Sequence, residues 1–491
     1  MPPAPRRDRR WLTLVLPALL SLGLGAWGTR RGGSMWRDEA VTESVAHRSL
    51  SELWLLVQDI DAVHALHYLM VHGWFALWDG GTVALRAPSV LATAVATVGV
   101  AAVAGRLVSP RAGFLAGMAY ASTPMVQDYA LEGRSYALVA ACVVWSSWFF
   151  VRAVQGGHPG FWGGYAIVAT LGCWLNLFAV LAVVAHGVTL RLTRVSSVIQ
   201  RRFLLSVFCV GAGSAPLGLL AVGQAEAQLG WLSRPGLVEW AGFIAVASVG
   251  ILLSTVKPTA RGSLALRDVA LPLLVVPTGL LMLISMIKPY YVDRYVMYSM
   301  AGLALLVGAA GDRALHSDGL RKYHRRPLHS WAAVAAIPAV VIAFLAPWHA
   351  TIRSPEARKD NVLAISEVVN EIAQPGDAVL LMPARRRDWV LHDPVLYGRL
   401  NDIALAQSPA ASGTLRGVEY PGDQIRRRIL AEDRVIALTD PAGQPLDQTS
   451  QEKIKRETLQ SHFTVCQRVM VHGAEVRLWA RDCAGIEIDR G

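Results

Sequence analysis

The chain has 491 residues, of which 53% are hydrophobic and only 17% are charged. Soluble domains carry about 25% charged residues, so this composition argues against an ordinary soluble protein. The formal net charge is +11, but the basic residues lie in short loops between apolar runs, and no basic motif sits on a soluble fold. We therefore expect no nucleic-acid partner.

Apolar runs recur over residues 11–349, and about 20 such residues cross a hydrocarbon core of about 30 Å. Because lipid cannot satisfy an open backbone, these spans must be helices. The pattern predicts a polytopic α-helical membrane protein with about 11 spans. The spans 112–124 and 178–190 are short for a full crossing. The predicted spans are 11–28, 84–105, 112–124, 136–154, 161–175, 178–190, 203–222, 238–255, 269–287, 295–311 and 331–348.

Clusters of Lys and Arg fall in every second loop between these spans, which is the pattern of cytoplasmic loops. They predict a cytoplasmic N-terminus with a retained signal anchor. Residues 61–78 are apolar enough to span, but a span there would reverse every later basic loop. We therefore favour a helix lying at the outer surface. The basic clusters are residues 6–10, 106–111, 191–202, 257–267 and 313–326.

This topology makes residues 29–83 the first outer loop of a membrane domain that covers residues 1–349. The polar tail, residues 350–491, predicts a small extracytoplasmic α/β domain. Its expected elements are a helix at 354–374, strands at 377–382 and 434–438, a helix at 449–463 and a hairpin turning near His472 and Gly473. Cys466 and Cys483 are candidates for a disulfide. Hairpin register pairs Cys466 with a residue near Ala480, which leaves the disulfide open.

The first outer loop begins with MWRDEA, residues 35–40, which places Asp38 and Glu39 side by side after two apolar residues. One interpretation is an ordinary solvated loop. The other is a catalytic loop, because a carboxylate near an apolar boundary can act as a general base that deprotonates a hydroxyl. Asp61, His64 and His67 follow at helical spacing; they either face lipid headgroups or hold a divalent ion.

These stretches together resemble the membrane-embedded GT-C glycosyltransferases, above all family 39, which includes protein O-mannosyltransferases and aminoarabinose transferases. The resemblance is carried by MWRDEA, by residues 61–78, by residues 83–124 and by YALEGRSYAL at 129–138, and it extends over residues 11–349. It implies transfer of a hexose, such as mannose, from a polyprenyl-phosphate donor with inversion. It also implies that Asp38, with Glu39 beside it, is the catalytic base.

Such a reaction needs cations that neutralise the leaving lipid phosphate. Arg134 is one candidate, and the resemblance adds Lys288 and Arg294 of KPYYVDRY, which also contains Tyr291. The alternative for each is an interfacial anchor. Asp128 and Glu132, four residues apart, are expected on one helix face near Arg134, where they pair with it or bind sugar hydroxyls. Asp61 and His64 would shape the acceptor or metal site. The resemblance leaves a divalent cation, Mg²⁺ or Mn²⁺, open.

The leading hypothesis is therefore a glycosyltransferase at the outer face of the cell membrane, acting on an envelope glycan, lipid or protein. The chain has no β-trefoil insertion and only a short tail, which favours a glycan or lipid-linked acceptor over protein. The main alternative is a transporter or flippase of a lipid-linked sugar. That class should carry charges within its spans and repeat symmetry, whereas the polar residues here collect at one face. A third alternative is a catalytically silent scaffold.

Overall fold

The computed structural model describes residues 11–230, 232–256, 264–315 and 327–484. The basic cluster at 6–10, most of the cluster at 257–267 and most of that at 313–326 lie outside the described residues. The described helices, numbered in chain order, are α1 Leu12–Gly28, α2 Arg37–Ala46, α3 Leu50–Asp59, α4 Ala65–Phe75, α5 Gly81–Leu107, α6 Pro110–Ser122, α7 Pro124–Ala130, α8 Tyr136–Val154, α9 Gly160–Leu175, α10 Val180–Thr193, α11 Ser197–Leu229, α12 Leu237–Thr255, α13 Leu266–Ser285, α14 Met300–Leu315, α15 Pro327–Thr351, α16 Val362–Ile372, α17 Pro394–Tyr397, α18 Gly422–Leu430 and α19 Ser450–His462.

The chain divides into two compact units. The first, called the membrane unit below, comprises Met1–Thr29, Asp61–His67 and Arg86–Ile352. The second, called the tail unit, comprises Arg30–Ile60, Tyr68–Leu85 and Arg353–Gly491. The sequence-based division placed residues 29–83 with the membrane domain, whereas the structure groups most of them with the tail.

The membrane unit confirms a multi-pass helical protein. Among the described residues, seven helical segments are long and apolar enough to cross a bilayer. They are α1, α5, α8, α11, α12, α13 and the segment Asp293–Leu315 that contains α14. Shorter apolar helices are Gly160–Leu175, Leu177–Thr193 and Pro338–Thr351. The total of about 11 crossings stays a prediction.

Two features of the apolar helices follow directly from the sequence. α4 is 11 residues long, or about 16 Å, which is too short to cross a bilayer and agrees with the surface helix expected within 61–78. Small residues let the helices approach closely, as is common in membrane bundles. A Cβ at Gly113 of α6 would lie 2.6 Å from the carbonyl oxygen of Ala101 on α5.

The tail unit is built on a mixed sheet whose strand order is β2-β1-β5-β7-β6. β1 is parallel to both β2 and β5, while β7 is antiparallel to β5 and β6. A separate antiparallel pair joins β3 to β4. The strands are β1 Ala378–Met382, β2 Asn401–Asp402, β3 Leu405–Gln407, β4 Val418–Glu419, β5 Arg434–Thr439, β6 Thr464–Val471 and β7 Ala474–Ala480.

Alternate residues of β1 and β5 face opposite layers of the tail unit, as the period of a strand requires. One layer packs Leu380 of β1 against Ile425 and Leu459 of the helices α18 and α19. The other layer packs Leu381 of β1 against α16 and also against Met35 of the first outer loop. This shared apolar core is the physical reason why the loop belongs to the tail unit.

The predicted tail elements are confirmed, with two local differences. The helix expected at 354–374 begins only at Val362, because the Asn361 side chain caps it by accepting the N–H of Leu363 at 3.2 Å. Cys466 and Cys483 form a disulfide. The register is irregular between Val465 and Gln467, so the regular pairing that would have placed Cys466 opposite Ala480 does not hold at this position.

Candidate active site

Asp38 and Glu39 lie in the first turn of α2, where the helix macrodipole favours negative charge. The two carboxylates have different surroundings. Glu39 is fully buried, and its Oε2 lies 3.5 Å from the backbone nitrogen of Trp36, the residue that precedes the helix, so it accepts a hydrogen bond from the N-cap backbone. The Asp38 side chain keeps 24% of its surface exposed. Asp38 is therefore the accessible member of the predicted pair.

Arg37 places a cation between Asp38 and a second carboxylate, Asp360. The Arg37 guanidinium Nε lies 3.7 Å from Asp38 Oδ1, and its Nη1 lies 3.7 Å from Asp360 Oδ2. The backbone N–H of Arg37 also donates to Asp360 Oδ1 at 3.0 Å. Asp360 was not among the predicted site residues, because it lies in a polar stretch more than 300 positions away in the sequence.

Asp388 is a further carboxylate of the tail unit that sequence reasoning did not identify. It lies in the turn Ala384–Trp389, which follows the carboxyl end of β1. Its two oxygens accept the Nε and Nη2 of Arg416, both at 2.8 Å. Burial raises the pKa of Asp388 above its usual value against the opposing effect of Arg416, and the negative charge of Asp38 adds to the rise. The one available signal was the rule that functional groups collect at the carboxyl ends of parallel strands.

Arg134 of the membrane unit is nearly buried and contacts the histidines of the predicted acceptor region. Its Nη2 lies 2.8 Å from His64 Nε2, so this ring nitrogen accepts the hydrogen bond. His67 Nε2 lies 3.2 Å from the carbonyl oxygen of Gly133. Burial lowers the pKa of His67 to about 4, and the positive charge of Arg134 contributes to that shift. The structure thus joins His64, His67 and Arg134 in one cluster.

This cluster does not fit a divalent cation. His64 and His67 use their Nε2 atoms on Arg134 and on a backbone carbonyl, and a guanidinium next to a metal would repel it. Asp61 adopts a left-handed conformation ahead of the turn Ala62–His64 and accepts Gln228 Nε2 at 3.0 Å. Asp61 therefore lies outside the helical turns, whereas His64 and His67 keep the expected helical spacing. In the described part of the chain, no group of three His, Cys, Asp or Glu residues is placed to hold a metal.

The expectation that Asp128 and Glu132 lie on one helix face is wrong. α7 ends at Ala130, so Glu132 lies in the turn that follows. Glu132 is fully buried and Asp128 is half-buried. A helix of seven residues is too short to carry a pair separated by four positions when the first member is near its end.

Arg294 belongs to an aromatic cluster of the membrane unit. Its guanidinium carbon lies 5.6 Å from the ring centre of Tyr136 and 5.8 Å from that of Tyr295, which are cation–π distances. Tyr136 follows Arg134 by two positions, so this contact brings the two predicted arginine segments together. The neighbouring Tyr129 hydroxyl donates to Asp293 Oδ1 at 3.1 Å, and Tyr295 stacks on Phe178 at 5.3 Å.

Lys288 and Tyr291 lie in the same segment as Arg294, between α13 and α14. Lys288 is exposed, and its Nζ lies 5.7 Å from the ring centre of Tyr290; among the described residues it forms no ion pair. Burial raises the pKa of Tyr291 to about 12, and the charges of Asp293 and Glu239 add to this. The Tyr291 hydroxyl therefore stays protonated at neutral pH and is a hydrogen-bond donor.

The family model described as "Dolichyl-phosphate-mannose-protein mannosyltransferase" matches residues 65–213. A crystal structure of ArnT from Cupriavidus metallidurans in the apo state superposes with a TM-score of 0.61 at 13% identity, covering 96% of this chain and 98% of that one. The chain has the GT-C fold.

Two further structures share the GT-C fold. ArnT from Cupriavidus metallidurans bound to undecaprenyl phosphate gives a TM-score of 0.62 at 14% identity, again covering 96% of this chain and 98% of that one. The arabinofuranosyltransferase AftD from Mycobacteria gives 0.53 at 14% identity, covering 96% of this chain and 40% of AftD. A comparison with curated protein sequences gave no match.

Proposed function

We propose that the protein is an inverting glycosyltransferase that moves a hexose from a polyprenyl-phosphate donor to an envelope glycan, lipid or protein. The observation that carries the proposal is the partly exposed Asp38 at the start of α2, on a chain with the GT-C fold. The family model that matches residues 65–213 is named for mannose transfer, which supports mannose as the sugar. The ArnT structure with undecaprenyl phosphate supports a polyprenyl carrier.

In this mechanism Asp38 accepts the proton of the acceptor hydroxyl, and the hydroxyl oxygen attacks the anomeric carbon of the donor. The bond from that carbon to the phosphate oxygen breaks as the new bond forms, so the anomeric configuration inverts. The departing polyprenyl phosphate carries the negative charge. Arg134, Lys288 and Arg294 neutralise it, and the protonated Tyr291 hydroxyl donates a hydrogen bond.

The remaining acids of the sequence take supporting roles in the proposal. Glu39 holds the first turn of α2 in place. Asp61 and His64 shape the acceptor region, and Asp128 and Glu132 contribute to sugar or arginine contacts. The active site faces the outer side of the membrane, with a cytoplasmic N-terminus and an extracytoplasmic tail, because the basic loops alternate accordingly.

The test is transfer of radiolabelled mannose from polyprenyl-phosphate-mannose in membranes that express the full chain. Losing a general base costs roughly 10²-fold or more, so Asp38→Asn should abolish most of the transfer. Asp59→Asn is the matched control, because Asp59 is an exposed acid of the same loop with no role in the mechanism. Donors carrying glucose and arabinose identify the sugar.

Equal transfer by the wild type and Asp38→Asn would exclude Asp38 as the base. No transfer from any of the three donors, with normal membrane levels of the wild type, would favour the transport of a lipid-linked sugar instead.

A further inference from the structure

The backbone just before Asp38 is held by two residues of the tail, Asp360 and Asn361. The N–H of Met35 lies 3.3 Å from Asn361 Oδ1, and the Met35 carbonyl accepts the N–H of Val362 at 2.8 Å. The N–H of Arg37 donates to Asp360 Oδ1 at 3.0 Å. The bond to the Arg37 N–H satisfies a donor in the first turn of α2 that the helix itself leaves free, and the two bonds to Met35 hold the chain just before the helix. Residues 360–362 therefore hold the first turn of α2, which carries Asp38, in position.

The Asp360 carboxylate holds both the backbone and the side chain of Arg37. Its Oδ2 accepts the indole N–H of Trp389 at 3.1 Å and lies 3.7 Å from the Arg37 guanidinium. The Asp360 side chain is only 2% exposed, and a buried carboxylate is costly unless such partners surround it. Arg37 in turn lies 3.7 Å from Asp38. One buried charge thus connects the tail to the orientation of the Asp38 carboxylate.

Asp360 itself is held by the sheet. The N–H of Asn361 donates to the carbonyl of His472 at 3.2 Å, in the turn between β6 and β7. The next residue, Gly473, has a φ of +81°, and a Cβ there would lie 2.6 Å from Asp360 Cα. Trp389 closes the turn that follows β1. Rigid elements therefore hold Asp360 from two sides.

We propose that Asp360 is a positioning residue that sets the direction of the Asp38 carboxylate through Arg37. This inference rests on the proposed function, in which Asp38 is the base. A base must lie within hydrogen-bond reach of the proton that it accepts, and a shift of about 1 Å can cost 10²-fold in rate. Asp360 does not touch substrate in this scheme.

The experiment is a double-mutant cycle on mannose transfer by the full chain in membranes, with the wild type, Asp38→Asn, Asp360→Asn and the double variant. We expect Asp360→Asn to lower kcat about 10-fold while the KM for the donor changes less than about twofold. In the Asp38→Asn background the same substitution should have no further effect, because residues that act as one unit are not additive.

Asp377→Asn is the control. Asp377 pairs with Arg434 at 3.2 Å just before β1 begins, whereas Trp389, the partner of Asp360, lies in the turn after β1 ends. It should leave kcat unchanged. Arg37→Met is the second variant in case Asp360→Asn does not fold. This variant leaves Asp360 its hydrogen bonds from the Arg37 backbone N–H and the Trp389 indole N–H, and the same fall in kcat is expected.

A purely structural Asp360 would give the same relative loss in both backgrounds, and this result would overturn the inference while leaving Asp38 as the base. Unchanged kcat in Asp360→Asn and Arg37→Met would overturn it as well. Wild-type transfer by Asp38→Asn would remove the proposed base and the positioning role together.

Discussion

The surroundings of Asp38 in the tail unit and those of Arg294 in the membrane unit are held by different forces. Near Asp38, directional hydrogen bonds to backbone N–H groups determine where each atom lies, as between Asp360 and Arg37. Near Arg294, the faces of Tyr136 and Tyr295 hold the guanidinium. A carboxylate that accepts a proton must point at one hydroxyl group. A guanidinium whose faces contact aromatic rings keeps the N–H groups at its edge available for bidentate hydrogen bonds to a phosphate.

The largest effect that would sharpen this comparison is expected in the membrane unit. Arg134→Lys and Arg294→Lys keep the charge but lose the planar fork, so we expect donor kcat/KM to fall by about 10- to 100-fold. Arg152→Lys is the control, because Arg152 also lies over aromatic rings, 4.6 Å from that of Phe161, but has no proposed role. Equal losses at Arg152 and Arg294 would mean that the ring contacts matter only for folding.

A smaller effect is expected where the hairpin turn meets Asp360. Gly473→Ala adds a Cβ against the Asp360 backbone at positive φ, so we expect a loss of more than about 1 kcal/mol in the free energy of unfolding, with a lower kcat. Gly376→Ala has a similar φ of +91° and no atom within 4 Å of the added Cβ. The difference between the two variants in thermal unfolding and in transfer therefore isolates the contact with Asp360.

The smallest effect concerns the pH dependence of stability in the tail unit. His392 Nδ1 pairs with Glu43 of α2. Burial lowers the pKa of His392, but the hydrogen bond and charge of Glu43 outweigh it, so the pKa is raised above 6.5. Because the pKa of His392 is higher in the folded state, the ion pair stabilises the fold fully at pH values below the unfolded-state pKa. This contribution is lost as the pH rises through the folded-state pKa.

His392→Gln should therefore lower the Tm of the purified full chain more at pH 5.5 than at pH 8. Glu43→Gln should reproduce that pattern. A Tm difference that is the same at both pH values would show that the ion pair does not stabilise α2 against the tail.

The membrane helices and the tail strands could be read from the sequence, because apolar length and period are properties of a short window. The position of Asp38 after the first apolar run was equally local. The sequence could not decide which of Asp38 and Glu39 is accessible, because adjacent acids have the same local pattern. The structure decides it, since the start of α2 buries Glu39 and leaves Asp38 partly exposed. Likewise, the end of α7 at Ala130 is decided by packing, which removed the expected Asp128–Glu132 face.

The sequence by itself determined a multi-pass helical protein, an α/β tail and an acid pair after the first span. Only the tertiary structure decided that the first outer loop shares a core with the tail, that Cys466 pairs with Cys483, and that Asp360 bonds to Arg37 across 323 positions. The physical reason is that hydropathy and secondary structure depend on near neighbours, whereas a buried carboxylate finds its partners only when distant segments pack together.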